Sequence, residues 1–154
     1  MNENTKLYEL TASEASKLIR TREVSPVTLM QSLLDRIHKL EPSLKAWVTL
    51  DDKSAIDAAK MAERRIMNNS PIGILEGIPI GVKDIYYTKG IRTTACATQY
   101  DQFKPSYDAT SVKRLKEEGG IILGKAITTE FAATDPSPTI NPWHRDHTPG
   151  GSSS

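Results

Sequence analysis

The chain has 154 residues, 38% of them hydrophobic and 25% charged, which is enough for one domain with a real core and argues against disorder. Lys plus Arg number 20 against 19 Asp plus Glu, and nothing in that balance argues for nucleic acid or an anionic membrane as partner. Cys96 is the single cysteine, so an internal disulfide is excluded and a reducing compartment is the simpler setting. Neither a signal-peptide core within Met1–Leu7 nor an apolar run of membrane-spanning length is present, and a cytoplasmic location is expected.

In chain order, Thr11-Ala-Ser-Glu14 has the capping-box pattern, a hydroxyl at the cap and a carboxylate three residues on. Ala15, Leu18 and Ile19 then share one face of a short helix. Ser25-Pro26 starts a second helix, with serine as cap and proline where its missing N–H costs nothing. Leu29, Leu33, Leu34 and Ile37 keep helical spacing, and Glu41-Pro42 is expected to end the element. Ala46–Leu50 reads as a strand, and Asp51 and Asp52 open a helix to about Met67. After the turn cluster Asn68–Gly73, the run Ile78-Pro-Ile-Gly-Val82 reads as a buried strand delivering Lys83 and stopping at Asp84. A lysine there loses hydration, so it must be paired or shift toward the neutral amine, and a neutral lysine is a general base.

Residues 86–95 form a polar loop. Asp108 is expected to cap a helix carrying Val112 and Leu115, which Gly119-Gly120 closes. Ile121-Ile-Leu-Gly124 is a buried strand directly after it. Strand, helix, strand in this order implies a crossover connection and a partly parallel sheet. Thr128–Phe131 reads as one turn of helix. Ala132–Ser154 is irregular, with prolines at 136, 138, 142 and 149, and irregular segments of this length in compact domains are often functional. The fold class is therefore α/β within a single domain, 1–154. Residues 1–70 are mainly helical and 71–154 begin the α/β core. The chain stops at Pro149–Ser154 in what reads as a loop entering a new element, which implies either a flexible tail or a larger protein cut short.

Two positions stand out chemically. Lys83 is the first, against the plain alternative of a strand-end lysine solvated or paired with Asp84. The second is Ser152-Ser-Ser154 after Gly150-Gly151. By composition this is a flexible tail, yet glycines there would also allow a turn that holds a hydroxyl at close approach. His38, His144 and His147 show no metal or triad spacing. Cys96 has no assignable base partner, which a nucleophile would need. Gly119-Gly120 closes a helix rather than opening one, so it is not a phosphate loop.

Singly, none of these decides anything. Together, Gly77-Ile-Pro-Ile-Gly-Val-Lys-Asp84, Thr88–Thr94, Tyr107-Asp-Ala-Thr110, Leu115–Lys125, Thr129-Glu-Phe131, Asn141-Pro-Trp143 and Pro149-Gly-Gly-Ser-Ser153 occur in an order that closely resembles the N-terminal part of the amidase signature family. The resemblance implies a mixed, largely parallel sheet, incomplete in this chain, and hydrolysis of carboxamide bonds by a Ser-cisSer-Lys triad with no metal or other cofactor. It places the family's lysine at Lys83 and its middle serine, preceded by a cis peptide, at Ser152. Gly150, Gly151 and Ser153 would support that relay loop. Lys83 would take a proton through Ser152 from a nucleophilic serine and return it to the leaving amine.

Here the chain departs from the family pattern. The nucleophile and the oxyanion-hole donors would lie beyond Ser154, so these residues alone are expected to be inactive, and the uncovered sheet to favour instability or association. The implied partner is a small-molecule amide, with no nucleic acid bound directly, no membrane, and a homodimer as an open arrangement. Ala132–Ile140, with Pro136-Ser-Pro138 and His147-Thr-Pro149, looks more like the general amidases. The alternative is the A subunit of a glutamyl/aspartyl-tRNA amidotransferase, a glutaminase that works with partner subunits. A non-catalytic truncated fragment or interaction module is the reading from a different class.

Overall fold

The computed structural model describes residues 6–154; residues 1–5, which belong to the N-terminal stretch and the expected 1–154 domain, lie outside it. The elements are α1 (Ala12–Arg20), α2 (Pro26–Leu44), β1 (Trp47–Leu50), α3 (Asp52–Met67), β2 (Pro79–Lys83), α4 (Thr110–Glu117) and β3 (Ile121–Ala126), with short 3-10 turns at Leu7–Glu9, Thr98–Tyr100 and Glu130–Ala132. No helix among the described residues is long and apolar enough to cross a membrane.

The helix starts follow their capping residues. Thr11 Oγ1 accepts from the Glu14 N–H at 3.2 Å, and Glu14 Oε2 accepts from the Thr11 N–H at 2.8 Å, the reciprocal capping box. Ser25 Oγ accepts from the Val27 N–H at 3.0 Å, with Pro26 opening α2. That helix does not end at Glu41-Pro42 as expected; it continues to Leu44 with Pro42 inside it. Pro42 falls in the last turn, where a missing N–H costs a single bond. The turn still closes through Lys45 N–H to Glu41 O at 2.9 Å. The Glu41 carboxylate then takes the N–H groups of Ala46 and Trp47, each at 3.0 Å, and Lys45 turns left-handed at φ 54° to leave the helix. Helix α4 starts two residues after Asp108, whose carboxylate accepts from the Lys89 N–H at 2.7 Å.

The chain groups into two compact units interleaved along the sequence. Among the described residues, the first takes 6–39, Asp52–Ile80 and Arg114–Ile122. Its core joins Ala15, Ile19, Val24, Leu29, Ile66 and Ile78. Met30 is wholly buried and Leu34 nearly so, and full burial of a side chain of that size is worth about 1.5–3 kcal/mol. Glu76 is buried in this unit and takes Arg65 Nε at 2.9 Å and Nη2 at 2.6 Å on one oxygen. Gly119 lies against Glu76 at φ +86°, the left-handed residue that ends α4.

The second unit takes Leu40–Asp51, Gly81–Lys113 and Leu123–Ser154. The strands form one sheet in the order β1-β3-β2. Strand β1 is antiparallel to β3, with Thr49 opposite Lys125 and a register irregularity between Trp47 and Thr49. Strand β2 is parallel to β3. Ile121 N–H donates to Ile78 O at the start of the pair, and Asp84 N–H to Ala126 O just past the end of β2, each at 2.9 Å. The result is the mixed α/β sheet. Strand β2, expected to be buried, has only Val82 buried among its five residues. It is an edge strand, whereas the central β3 buries four of its six.

Candidate active site

Lys83 ends β2 and is half-buried. Its Nζ donates to Ser152 Oγ at 2.5 Å, a reach of 69 residues along the chain. The peptide bond between Gly151 and Ser152 is cis. The Ser152 carbonyl accepts from Thr128 Oγ1 at 2.8 Å and from the Thr129 N–H at 3.1 Å, and Ser153 bridges to Thr128. A β-carbon on Gly151 would come within 2.8 Å of Thr129 Cγ2, so the chain approaches Thr129 more closely there than any side chain would allow. Gly150 turns at φ +100°. The Gly-Gly-Ser-Ser segment is thus a pinned loop rather than a loose tail, and it brings the two residues picked out from sequence into direct contact.

Beside Ser152 lies a cavity of about 530 Å³ that includes Thr129, Ala132, Thr134, Thr148 and Gly151 in its wall and has no charged side chain in its lining. Ala132 in its wall and the preceding Phe131 are left-handed, at φ 57° and 49°.

Asp84 is not paired with Lys83. It is completely buried, and Oδ2 accepts from the Thr94 N–H at 2.8 Å and Thr94 Oγ1 at 2.6 Å. Its Oδ1 lies 3.2 Å from Nζ of Lys125, which is also completely buried. Lys125 Nζ donates to Thr93 Oγ1 at 2.6 Å and Tyr86 O at 2.8 Å. Burial pulls the Lys125 amine below the usual lysine range, and the Asp84 charge opposes that pull. Sequence reasoning applied the cost of burying a lysine to Lys83, when it falls in full on Lys125. The signal was a lysine inside the apolar strand Ile121–Ala126, followed through to a carboxylate one residue past β2.

The remaining candidates stand apart from this site. His38 is exposed and paired with Asp52 at 2.6 Å. His144 and His147 stack on each other at 4.1 Å in an exposed loop. Burial, then the charges of Glu130 and Asp84, push the Cys96 thiol up, away from thiolate chemistry. The described residues contain no group of three or more His, Cys, Asp or Glu able to hold a metal ion.

The Amidase family model matches residues 28–154. The glutamyl-tRNA(Gln) amidotransferase A subunit of Halothermothrix orenii is 46% identical over 153 residues, covering 96% of this chain and 30% of that protein. Its namesake from Cutibacterium acnes is 40% identical, covering 99% of this chain and 31% of that one. Among solved structures, the peptide amidase of Stenotrophomonas maltophilia superposes with TM-score 0.83 at 29% identity, over 94% of this chain and 32% of that one. A bacterial aryl acylamidase superposes at 0.84 with 27% identity, over 97% and 32%. This chain therefore spans about a third of the length of the proteins it matches. The match to the family model runs from early in α2 to the last residue, and on that extent the chain belongs to the amidase signature family.

Proposed function

We propose that this chain carries the proton-handling half of a carboxamide hydrolase, with Lys83 as general base and Ser152 as relay. The observation that carries the reading is the 2.5 Å contact of Lys83 Nζ with Ser152 Oγ, on a loop whose backbone is fixed by Thr128 and Thr129. In the reaction, Lys83 as the free amine draws a proton through Ser152 from a nucleophilic serine that these residues do not supply. The same path returns the proton to the departing nitrogen, so the carboxamide becomes a carboxylate and ammonia or amine after water attacks the acyl intermediate. Gly150, Gly151 and Ser153 hold the relay loop. The uncharged lining of the cavity beside Ser152 suits a neutral small-molecule amide.

A second reading has a specific observation behind it. The curated relatives at 40–46% identity are amidotransferase A subunits, which favours a glutaminase that hands its ammonia to a partner protein. The proline-marked stretch Ala132–Ile140 favours a general amidase instead. Ammonia release from an aryl-alkyl carboxamide and from glutamine separates them, measured on the polypeptide read on through the Ser154 codon. The general amidase turns over the first substrate unaided. Turnover of glutamine alone, and only once a partner protein is present, overturns that reading in favour of the glutaminase.

A further inference from the structure

We propose that Lys125 and Asp84 are positioning residues for Lys83: the buried pair locks the turn after β2 and so fixes the direction in which the Lys83 amine meets Ser152. The proposal rests on the reading of Lys83 and Ser152 as base and relay.

Asp84 is held at its backbone N–H and carbonyl and at one carboxylate oxygen. Its N–H donates to Ala126 O at 2.9 Å, its carbonyl accepts from the Ala95 N–H at 3.0 Å, and its carboxylate takes both donors of Thr94. Its free oxygen, Oδ1, accepts no hydrogen bond among the described residues and faces the Lys125 ammonium at 3.2 Å. Lys125 in turn spends its short bonds on Thr93 Oγ1 and Tyr86 O. The ammonium therefore ties together residues 84, 86 and 93, the two ends of the loop that leaves β2.

Burying two opposite charges is weak as a source of stability, because desolvation cancels most of the attraction. An apolar pair would fill the space as well, so what the ionic pair adds is a fixed geometry. Asp84 follows Lys83 directly at the end of β2, and its backbone is tied to Ala126 O and the Ala95 N–H. Clamping Asp84 therefore fixes the peptide from which the Lys83 side chain leaves. A half-buried lysine has freedom to lose at each side-chain torsion, and the 2.5 Å contact with Ser152 needs its base to stay still.

The test is trace acetylation of the 154-residue chain with acetic anhydride, reading by mass spectrometry the rate at Lys83 relative to exposed Lys53. Hydrogen exchange at the Asp84 N–H checks that the β2–β3 pairing persists. In the unmodified chain, Ser152→Ala frees the Lys83 amine and raises its labelling about five-fold, the value of one ordinary hydrogen bond. With Lys125→Met, Lys83 labelling is already raised to a similar extent and Ser152→Ala adds nothing. A purely structural pair would leave the Ser152 dependence intact in the folded variant, and that result overturns the proposal. If Lys125→Met does not fold, Thr94→Val decides in its place: it keeps volume and removes one hydroxyl bond to Asp84, and an unchanged Ser152 dependence there overturns the proposal equally. If Ser152→Ala leaves Lys83 labelling unchanged in the unmodified chain, the base–relay reading itself fails and the inference falls with it.

Discussion

Asp84 and Lys125 face each other at 3.2 Å with neither side chain exposed to solvent. Their hydrogen bonds go elsewhere, to Thr94 on one side and to Thr93 and the Tyr86 carbonyl on the other. The pair is thus a charge contact set inside a neutral hydrogen-bonded frame, one residue away from the lysine that meets Ser152.

That burial has a pH signature. The folded-state value of Lys125 lies below that of an unfolded lysine, with desolvation as the main cause. Between the two values the unfolded chain binds more protons than the folded one, so stability rises with pH across that window. Urea midpoints measured from neutral to alkaline pH are expected to carry this rise in the unmodified chain. Lys125→Met is expected to flatten it.

The acid side is governed in part by Glu14. Hydrogen bonds from the Thr11 hydroxyl and backbone N–H hold its carboxyl below the usual range. A depressed carboxylate contributes stability above its unfolded value and loses it as pH falls through the folded value. Fraying of α1 on acidification, followed by amide exchange in its first turn, is expected to lose its pH dependence in Glu14→Gln, whose uncharged amide oxygen can still accept from the Thr11 N–H. Thr11→Ala is expected to cost about 1 kcal/mol at neutral pH.

Two glycines give opposite readouts. Gly119→Ala places a methyl against buried Glu76 at a left-handed position. It is expected to destabilise the chain by about 1–3 kcal/mol in urea unfolding. Gly151→Ala meets only the Thr129 side chain, its methyl at 2.8 Å and its hydroxyl at 3.9 Å. Thermal unfolding is expected to move little, while the Lys83 labelling rate rises because Ser152 is displaced.

Local signals in the sequence carried much of the fold. The capping box at Thr11, Ser25-Pro26 and the glycines after α4 each describe an interaction completed within a few residues, so they could be read directly. Pro42 could not, because its tolerance depends on Glu41 reaching the Ala46 and Trp47 N–H groups. Lys83 and Ser152 emerged from the order of motifs, although 69 residues separate them. The Asp84–Lys125 pair was missed for a different reason. One member lies in β3 and the other one residue past the end of β2, and nothing local distinguishes a lysine that snorkels from one that is sealed in. Strand β2 was misjudged similarly, since an apolar run does not say whether its strand is central or at an edge.

The most direct test is ammonia release from a neutral carboxamide, measured for the 154-residue chain and for the polypeptide read on through the Ser154 codon, each with Lys83 intact and as Lys83→Ala. The expected result is no hydrolysis by the shorter chain, and hydrolysis by the longer one that Lys83→Ala lowers by at least about 100-fold, the scale of a lost general base. Hydrolysis by the 154 residues alone that Lys83→Ala abolishes would contradict the proposal that the nucleophile comes from outside these residues, and activity of the longer polypeptide that ignores Lys83→Ala would contradict the base.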